Sequence, residues 1–560
     1  MSNMQSTSKD IKGIECKFVQ FIPKDELIGR PDMHYVKEVI HYADGTLKPN
    51  LRMIKDYQRP FWITKEHCKV HKQKKEYEVL SKLNMYTSTQ SDLAKNVQMR
   101  LNRGYRKVSH VREVAGSPYV YGLDIDAKHD IKYRYSKKYP EIESKNTVCG
   151  LDIEINIDTN EITIMTIAMD NKVYTAILKS ILHSTYMVEE KLKNMFLKYI
   201  PDEKKDEYKV QYELFDTSVD MIKSVFKNIH EWKPDFLEAW NAPFDIGKII
   251  ETLENNKIDP KDIFSDPSVP EVCRYFNYRQ SGKRLSASGV AKNTSLHEQW
   301  NYVICPASFF VIDGMCTYHF IRTTDKAVPG GYGLDNMLDF ILGSSYKKLK
   351  FPGLDEKLEQ VEGLALWHKI MLEKYPMEYI IYNQWDVLSM LKIDQKTMDL
   401  QLTITILSEN SSLDMFASSP KRFFTNFHFF ALEQGCVLGT KDPLLEDQQT
   451  LGIDDWIVML PSNRITDEAF DIIEDCGNLA TSLRSHVFDA DQVSGYPSDT
   501  VAANISKDTT SKELLDVEGF EKEQFKLANM NLFYGSVNAV SYATEMFNFP
   551  TLEELDKMII

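Results

Sequence analysis

At 560 residues the chain is too long for one hydrophobic core and is expected to divide into about three or four domains. Hydrophobic residues make up 43% and charged residues 27%, an ordinary globular composition, and no uncharged apolar run reaches the roughly 18 residues of a membrane span. The net charge of −15 excludes a uniformly basic, phosphate-coating protein, since phosphate neutralisation takes Lys and Arg.

Taken in chain order, the polar start MSNMQSTSKDIKGIE lacks the apolar core of a secretory signal, which predicts a cytoplasmic protein with no membrane partner. The eight cysteines are scattered without a C-x-x-C pair, so they read as reduced thiols and not as a zinc module or disulfide framework. From Leu51 to Lys107 there are 14 Lys or Arg against 5 Asp or Glu, and a solvated face is the plain reading of such a run. From Asn146 the pattern predicts an apolar strand over Val148 to Ile155, a short polar turn, and a second strand over Glu161 to Met169. Helical periodicity follows over Val188 to Tyr199 and Ser218 to Trp232. A basic segment from Cys273 to Lys292 carries five Lys or Arg and no acid. A strand over Phe309 to Ile312 then precedes helices over Leu334 to Leu342 and Tyr379 to Lys396. Interleaved strands and helices predict an α/β domain over 149–399. Beyond Gly435 a strand near Ser485 to Ala490 is expected among two or three helices.

Four groups of acids stand out in the middle domain. Asp152 and Glu154, in CGLDIEI, project from the same face of a strand because strand side chains alternate. Taken alone, D-x-E reads as a solvent-facing strand edge; paired carboxylates on an apolar strand also suit a cation between them. Asp245, in NAPFDI, opens a helical pattern and on its own reads as an N-terminal helix cap. Tyr382 and Asp386, four apart in YNQWD, share one helix face. Asp313 is a further acid ending an apolar strand.

The ordered set D-x-E, N-x-x-F-D, Y-x-x-x-D resembles the three exonuclease motifs of the DnaQ-like (RNase H-like) proofreading domain. Across most of its length the chain is similar to the family-B DNA polymerases of T-even-like bacteriophages. That resemblance implies an α/β multidomain protein: an N-terminal α+β domain over 1–148, completed near 400–435, a mixed-sheet 3′→5′ exonuclease over 149–399, and a partial polymerase palm over 436–560. It also implies two divalent ions per active site, Mg²⁺ or Mn²⁺. Asp152, Glu154 and Asp386 would hold the ion that activates water, Asp152 would bridge to the second, and Asp245 would position that ion through water. Tyr382 would orient the attacking water as a hydroxyl donor. CRYFNYRQSGKRLSASGVAKN looks like the family's basic β-hairpin. Arg274, Arg279, Lys283 and Arg284 would contact phosphates there, with Tyr275, Phe276 and Tyr278 as stacking faces.

Further on, DADQVSGYPSDT resembles polymerase motif A, with Asp491 as metal-binding carboxylate, Ser494 as a structural or phosphate contact and Tyr496 as the steric gate; Gly495 departs from the family's leucine. FKLANMNLFYGSVNA resembles motif B, in which Lys526, Asn531 and Tyr534 would lie on a helix beneath the nascent base pair, the lysine being displaced by one position. The interval between the two motifs is too short for long helical fingers, and no Y-x-D-T-D motif C follows before Ile560. Asp124 and Asp126, in YGLDID, are the nearest mimic of that motif, upstream of the exonuclease. The expected partners are primer-template DNA, single-stranded 3′ ends, dNTPs, a second polymerase chain carrying motif C and thumb, and a sliding clamp. In a phage, the location would be the bacterial host cytoplasm. The alternatives are a free-standing 3′→5′ exonuclease with a vestigial palm, and a non-catalytic DNA-binding scaffold.

Overall fold

The computed structural model describes residues 10–441, apart from 73, 102–107, 109, 281–282, 286–290, 294–298, 300, 323–327, 329, 348, 352–353, 355–362 and 404–418; beyond 441 it describes two strand pairs, 471–472 with 480–481 and 533–534 with 537–538. Contacts divide the chain into a unit over Met1–Asp442 and another over Pro443–Ile560.

The first unit begins with an antiparallel sheet of β1 (Ile11–Ile22), β2 (Met33–Tyr42) and β3 (Leu47–Lys55). β4 (Arg59–Thr64) is flanked by two strands, Leu83–Ser88 and Val120–Tyr121. Strand Cys436–Leu438 returns to pair with Tyr77–Val79, so chain from beyond the middle domain completes the N-terminal region. Helix Ala127–Lys138 packs on β1 and is capped by Asp126, whose carboxylate accepts the Lys128 N–H at 2.9 Å. The oxygen Oδ2 of Asp124 accepts the N–H of Lys441 at 2.8 Å. Both acids of the YGLDID segment therefore do backbone work in the N-terminal region.

The middle of the unit is a six-stranded mixed sheet. In chain order its strands are β5 (Val148–Asn156), β6 (Glu161–Met169), β7 (Lys172–Leu178), β8 (Lys209–Phe215), β9 (Phe236–Ala239) and β10 (Phe310–Asp313). They lie side by side in the order β8-β7-β6-β5-β9-β10. β5, β6 and β7 form an antiparallel meander, while β9 runs parallel to both β5 and β10 and β8 parallel to β7. Both faces are covered, which is why β6 and β7 read as near-continuous apolar runs. On one face, Cys149, Leu151 and Ile153 of β5 join Met221, Ile222, Val225, Phe226 and Ile229 of helix Ser218–Trp232. That helix starts at Thr217, whose hydroxyl accepts the Asp220 N–H at 3.2 Å, and ends at Lys233 in the left-handed region at φ 52°. The other face is covered by helices Val188–Tyr199, Leu334–Leu342 and Pro376–Thr397.

Helix Pro376–Thr397 is the spine of that second layer. Proline at its first position loses no hydrogen bond, because that N–H has no helical partner. Its residues are buried almost all round, with Trp385 wholly enclosed. Gly150 lets this helix approach β5: a Cβ there would lie 3.0 Å from Val387 Cγ1 and 3.3 Å from the Val387 carbonyl oxygen.

The N-terminal sheet is tied to the mixed sheet by a buried ion. Lys37 of β2 donates to the carbonyls of Lys233 (2.6 Å), Pro234 (3.0 Å) and Ser308 (3.0 Å), just ahead of β9 and β10, and stands 3.4 Å from Asp235. Phe18 packs on Phe310, ring centres 4.4 Å apart, across the same seam. The described cysteines are free thiols, and among the described residues no helix is long and apolar enough to cross a membrane.

Candidate metal centre

Strand alternation puts Gly150, Asp152 and Glu154 on the face of β5 that meets helix Pro376–Thr397. The helix answers with Asp386, and ligand oxygens of Asp152, Glu154 and Asp386 all lie within 4.8 Å of one another. Glu154 and Asp386 are each 7% exposed. Carboxylates this close and this dry repel one another, and a cation among them removes the repulsion. An all-carboxylate donor set suits a hard divalent ion such as Mg²⁺ or Mn²⁺, so these residues fit such an ion.

Neutral donors from the same helix steady the acids. The amide Nδ2 of Asn383 donates to Asp152 Oδ2 at 2.6 Å, and the Tyr379 hydroxyl donates to Glu154 Oε2. Tyr379, Asn383 and Asp386 recur at helical spacing, one turn apart on one face. Tyr382 belongs to the same cluster: burial, then the charges of Asp386, Glu154 and Asp152 and a hydrogen bond to Asp386, push its hydroxyl well above the ordinary tyrosine range. It stays a proton donor at neutral pH, as the role of orienting water requires.

Asp245 stands outside the three-acid group. β9 stops opposite Leu151 of β5, leaving the Ile153 N–H beyond the ladder, and Asp245, in the first turn of helix Ala242–Asn255, accepts it. It is 3% exposed, and burial followed by the charges of Glu154 and Asp313 raises its pKa well above the usual range. Asp313 caps helix Gly314–Arg322, accepting the Cys316 N–H at 3.0 Å; burial pushes it up to about 6.

The basic segment is partly a hairpin. Asn277–Gln280 pairs with Asn301–Ile304, and Lys283–Leu285 with Ala291–Asn293, which puts Lys283 and Arg284 in the outer ladder. Arg279 is exposed. The Arg274 guanidinium donates to the carbonyls of Val269 (3.0 Å) and Pro267 (3.2 Å) and lies 3.6 Å from Asp262. Phe276 packs against Phe264 at 4.8 Å, and Tyr275 lines a neighbouring small core, so these rings anchor the segment. A basic-aromatic pattern reads alike for a surface groove and for a loop fastened to a core.

The palm residues Asp491, Ser494, Tyr496, Lys526 and Asn531 lie outside the described residues. Tyr534 falls in strand Phe533–Tyr534, paired with Val537–Asn538, where a helix was expected.

Sequence reasoning missed three residues beside the acids. Tyr379 and Asn383 were signalled by their spacing to Asp386. His368, on helix Leu364–Lys374, lies 3.6 Å from Glu154 Oε2 through its Nδ1 and carried no local signal. No protein-family model matches the chain, and no curated protein matches it.

Proposed function

We propose that the chain removes nucleotides from the 3′ end of single-stranded DNA, as the proofreading nuclease of a family-B DNA polymerase. The observation that carries this is the convergence of Asp152, Glu154 and Asp386 within 4.8 Å. The mixed sheet with helices on both faces is consistent with the DnaQ-like domain that the motifs resemble. When bound, two divalent ions, Mg²⁺ or Mn²⁺, would supply activation of water and stabilisation of the leaving oxygen. Asp152, Glu154 and Asp386 would hold the first ion, and Asp245 would reach the second through water. The Tyr382 hydroxyl donates its hydrogen bond to orient the water. Water adds to phosphorus, the bond to the preceding 3′ oxygen breaks, and a nucleoside 5′-monophosphate departs as that oxygen takes up a proton.

The test is digestion of a 5′-labelled single strand with Mg²⁺ or Mn²⁺ by the parent and by Asp152→Ala/Glu154→Ala. Loss of shortening in the double variant supports the reading; equal rates overturn it. Motifs A and B extend the proposal to nucleotidyl transfer when a partner chain supplies motif C, with Asp491 the palm carboxylate of this chain. Primer extension that survives Asp491→Ala would remove that extension and leave the nuclease.

A further inference from the structure

We propose that His368 is a positioning residue for the Glu154 carboxylate, acting through the Tyr379 hydroxyl; the inference rests on the nuclease reading above. The hydroxyl of Tyr379 reaches Glu154 Oε2 and also lies 2.6 Å from His368 Nδ1. A phenol has one proton. An ionised carboxylate oxygen only accepts, so the phenol proton points to Glu154 Oε2. Only lone pairs then remain for His368, so its Nδ1 carries hydrogen and donates. The chain therefore runs from the imidazole N–H to the phenol and from the phenol to Glu154 Oε2, each bond polarising the next.

The consequence is geometric. Oε2 is held by the protein, which fixes the direction of the carboxylate. A carboxylate held by one oxygen offers a single ligand atom in a fixed direction, as is usual where outer partners orient a metal ligand. The histidine itself is held by ring contacts: Trp367 lies edge-on to it at 5.0 Å and packs against Tyr382 at 5.1 Å and Tyr379 at 6.1 Å. Helix Leu364–Lys374 thus braces β5 through a side chain that is 27% exposed.

The test is Mn²⁺ titration of the full chain without DNA, read by calorimetry, with single-strand digestion measured alongside. Tyr379→Phe and His368→Leu are each expected to weaken Mn²⁺ binding by about 10- to 100-fold. Both should lower kcat while leaving KM for the oligonucleotide unchanged. His368→Asn, whose amide can donate from nearly the place of Nδ1, is expected to restore most of the affinity, which a merely space-filling role would not predict. His368 is partly exposed, so its variants keep the question answerable if Tyr379→Phe fails to fold. Parent-like Mn²⁺ affinity in folded His368→Leu overturns the positioning role and leaves the nuclease reading standing. A parent that binds no Mn²⁺ overturns both.

Discussion

The chain contains two similar acidic pairs, Asp124/Asp126 and Asp152/Glu154, which differ in what surrounds them. Asp126 caps a helix. Burial works against its charge, but Lys128, His129, the Lys128 N–H and Arg59 outweigh burial and hold its pKa below the usual range. Asp124 takes a backbone N–H from a distant segment. Asp152 and Glu154 are instead steadied by a neutral amide and a neutral hydroxyl, and a third carboxylate, Asp386, joins them. The first pair is used up in holding the fold together. The second pair is oriented by neutral donors and meets a third carboxylate, so the pattern D-x-[DE] acquires meaning only from its neighbours.

The sharpest way to break this comparison is to delete each pair. Asp152→Ala/Glu154→Ala is expected to cut single-strand digestion by about a thousandfold or more, since ion clamping supplies several kcal/mol. Its melting temperature should hold or rise, because mutual repulsion goes with the acids. Asp124→Ala/Asp126→Ala should keep digestion near the parent's rate and melt earlier; the opposite assignment of effects would reverse the two roles.

Next in size is Arg59→Ala. Arg59 is 1% exposed, donates to the carbonyls of Pro60, Gly122 and Leu123, and sits among Asp124, Asp126 and Asp130; burial lowers it to about 10, still cationic at neutral pH. Its removal is expected to cost about 3–5 kcal/mol in chemical denaturation. A cost below 1 kcal/mol would mean that the cation does not hold this region together.

Acid should act more weakly and in the same region. Burial holds His129 and His428 at about 4 and lowers His34, against about 6.5 in an unfolded chain. Between those values the unfolded chain binds more protons, so this contribution is complete above pH 6.5 and is lost as pH falls toward 4. Melting at pH 7 and pH 5 checks it, and His428→Leu should narrow the difference between the two. Smallest is Asp126→Ala alone, worth about 1 kcal/mol as a lost cap. A thermal shift for this variant as large as that of Arg59→Ala would show that Asp126 does more than cap.

Legibility in the sequence followed the range of the forces. Val188–Tyr199, Ser218–Trp232 and Leu334–Leu342 were readable to the residue because apolar stripes and caps such as Thr217 are local. The last long helix starts at Pro376 and not at Tyr379, since proline opens a helix without cost. The carboxylates were readable because their spacing reflects strand and helix periods. His368 was not, because it meets Glu154 only after another helix folds over β5. The backbone contacts of Arg274 were not legible either, because a guanidinium serves carbonyls as readily as phosphates.

The Lys37 ammonium bears on how the protein can be cut. A piece beginning at Thr147 would contain every acid of the metal centre, yet it would leave the carbonyls of Lys233, Pro234 and Ser308 without the donor that meets them. Those carbonyls lead into β9, which runs on to the helix of Asp245, and β10, which ends at Asp313. The half built on the mixed sheet is thus not a separable module. Its inner edge is finished by a side chain from a sheet formed earlier in the sequence, and damage to that sheet should be felt at the acids.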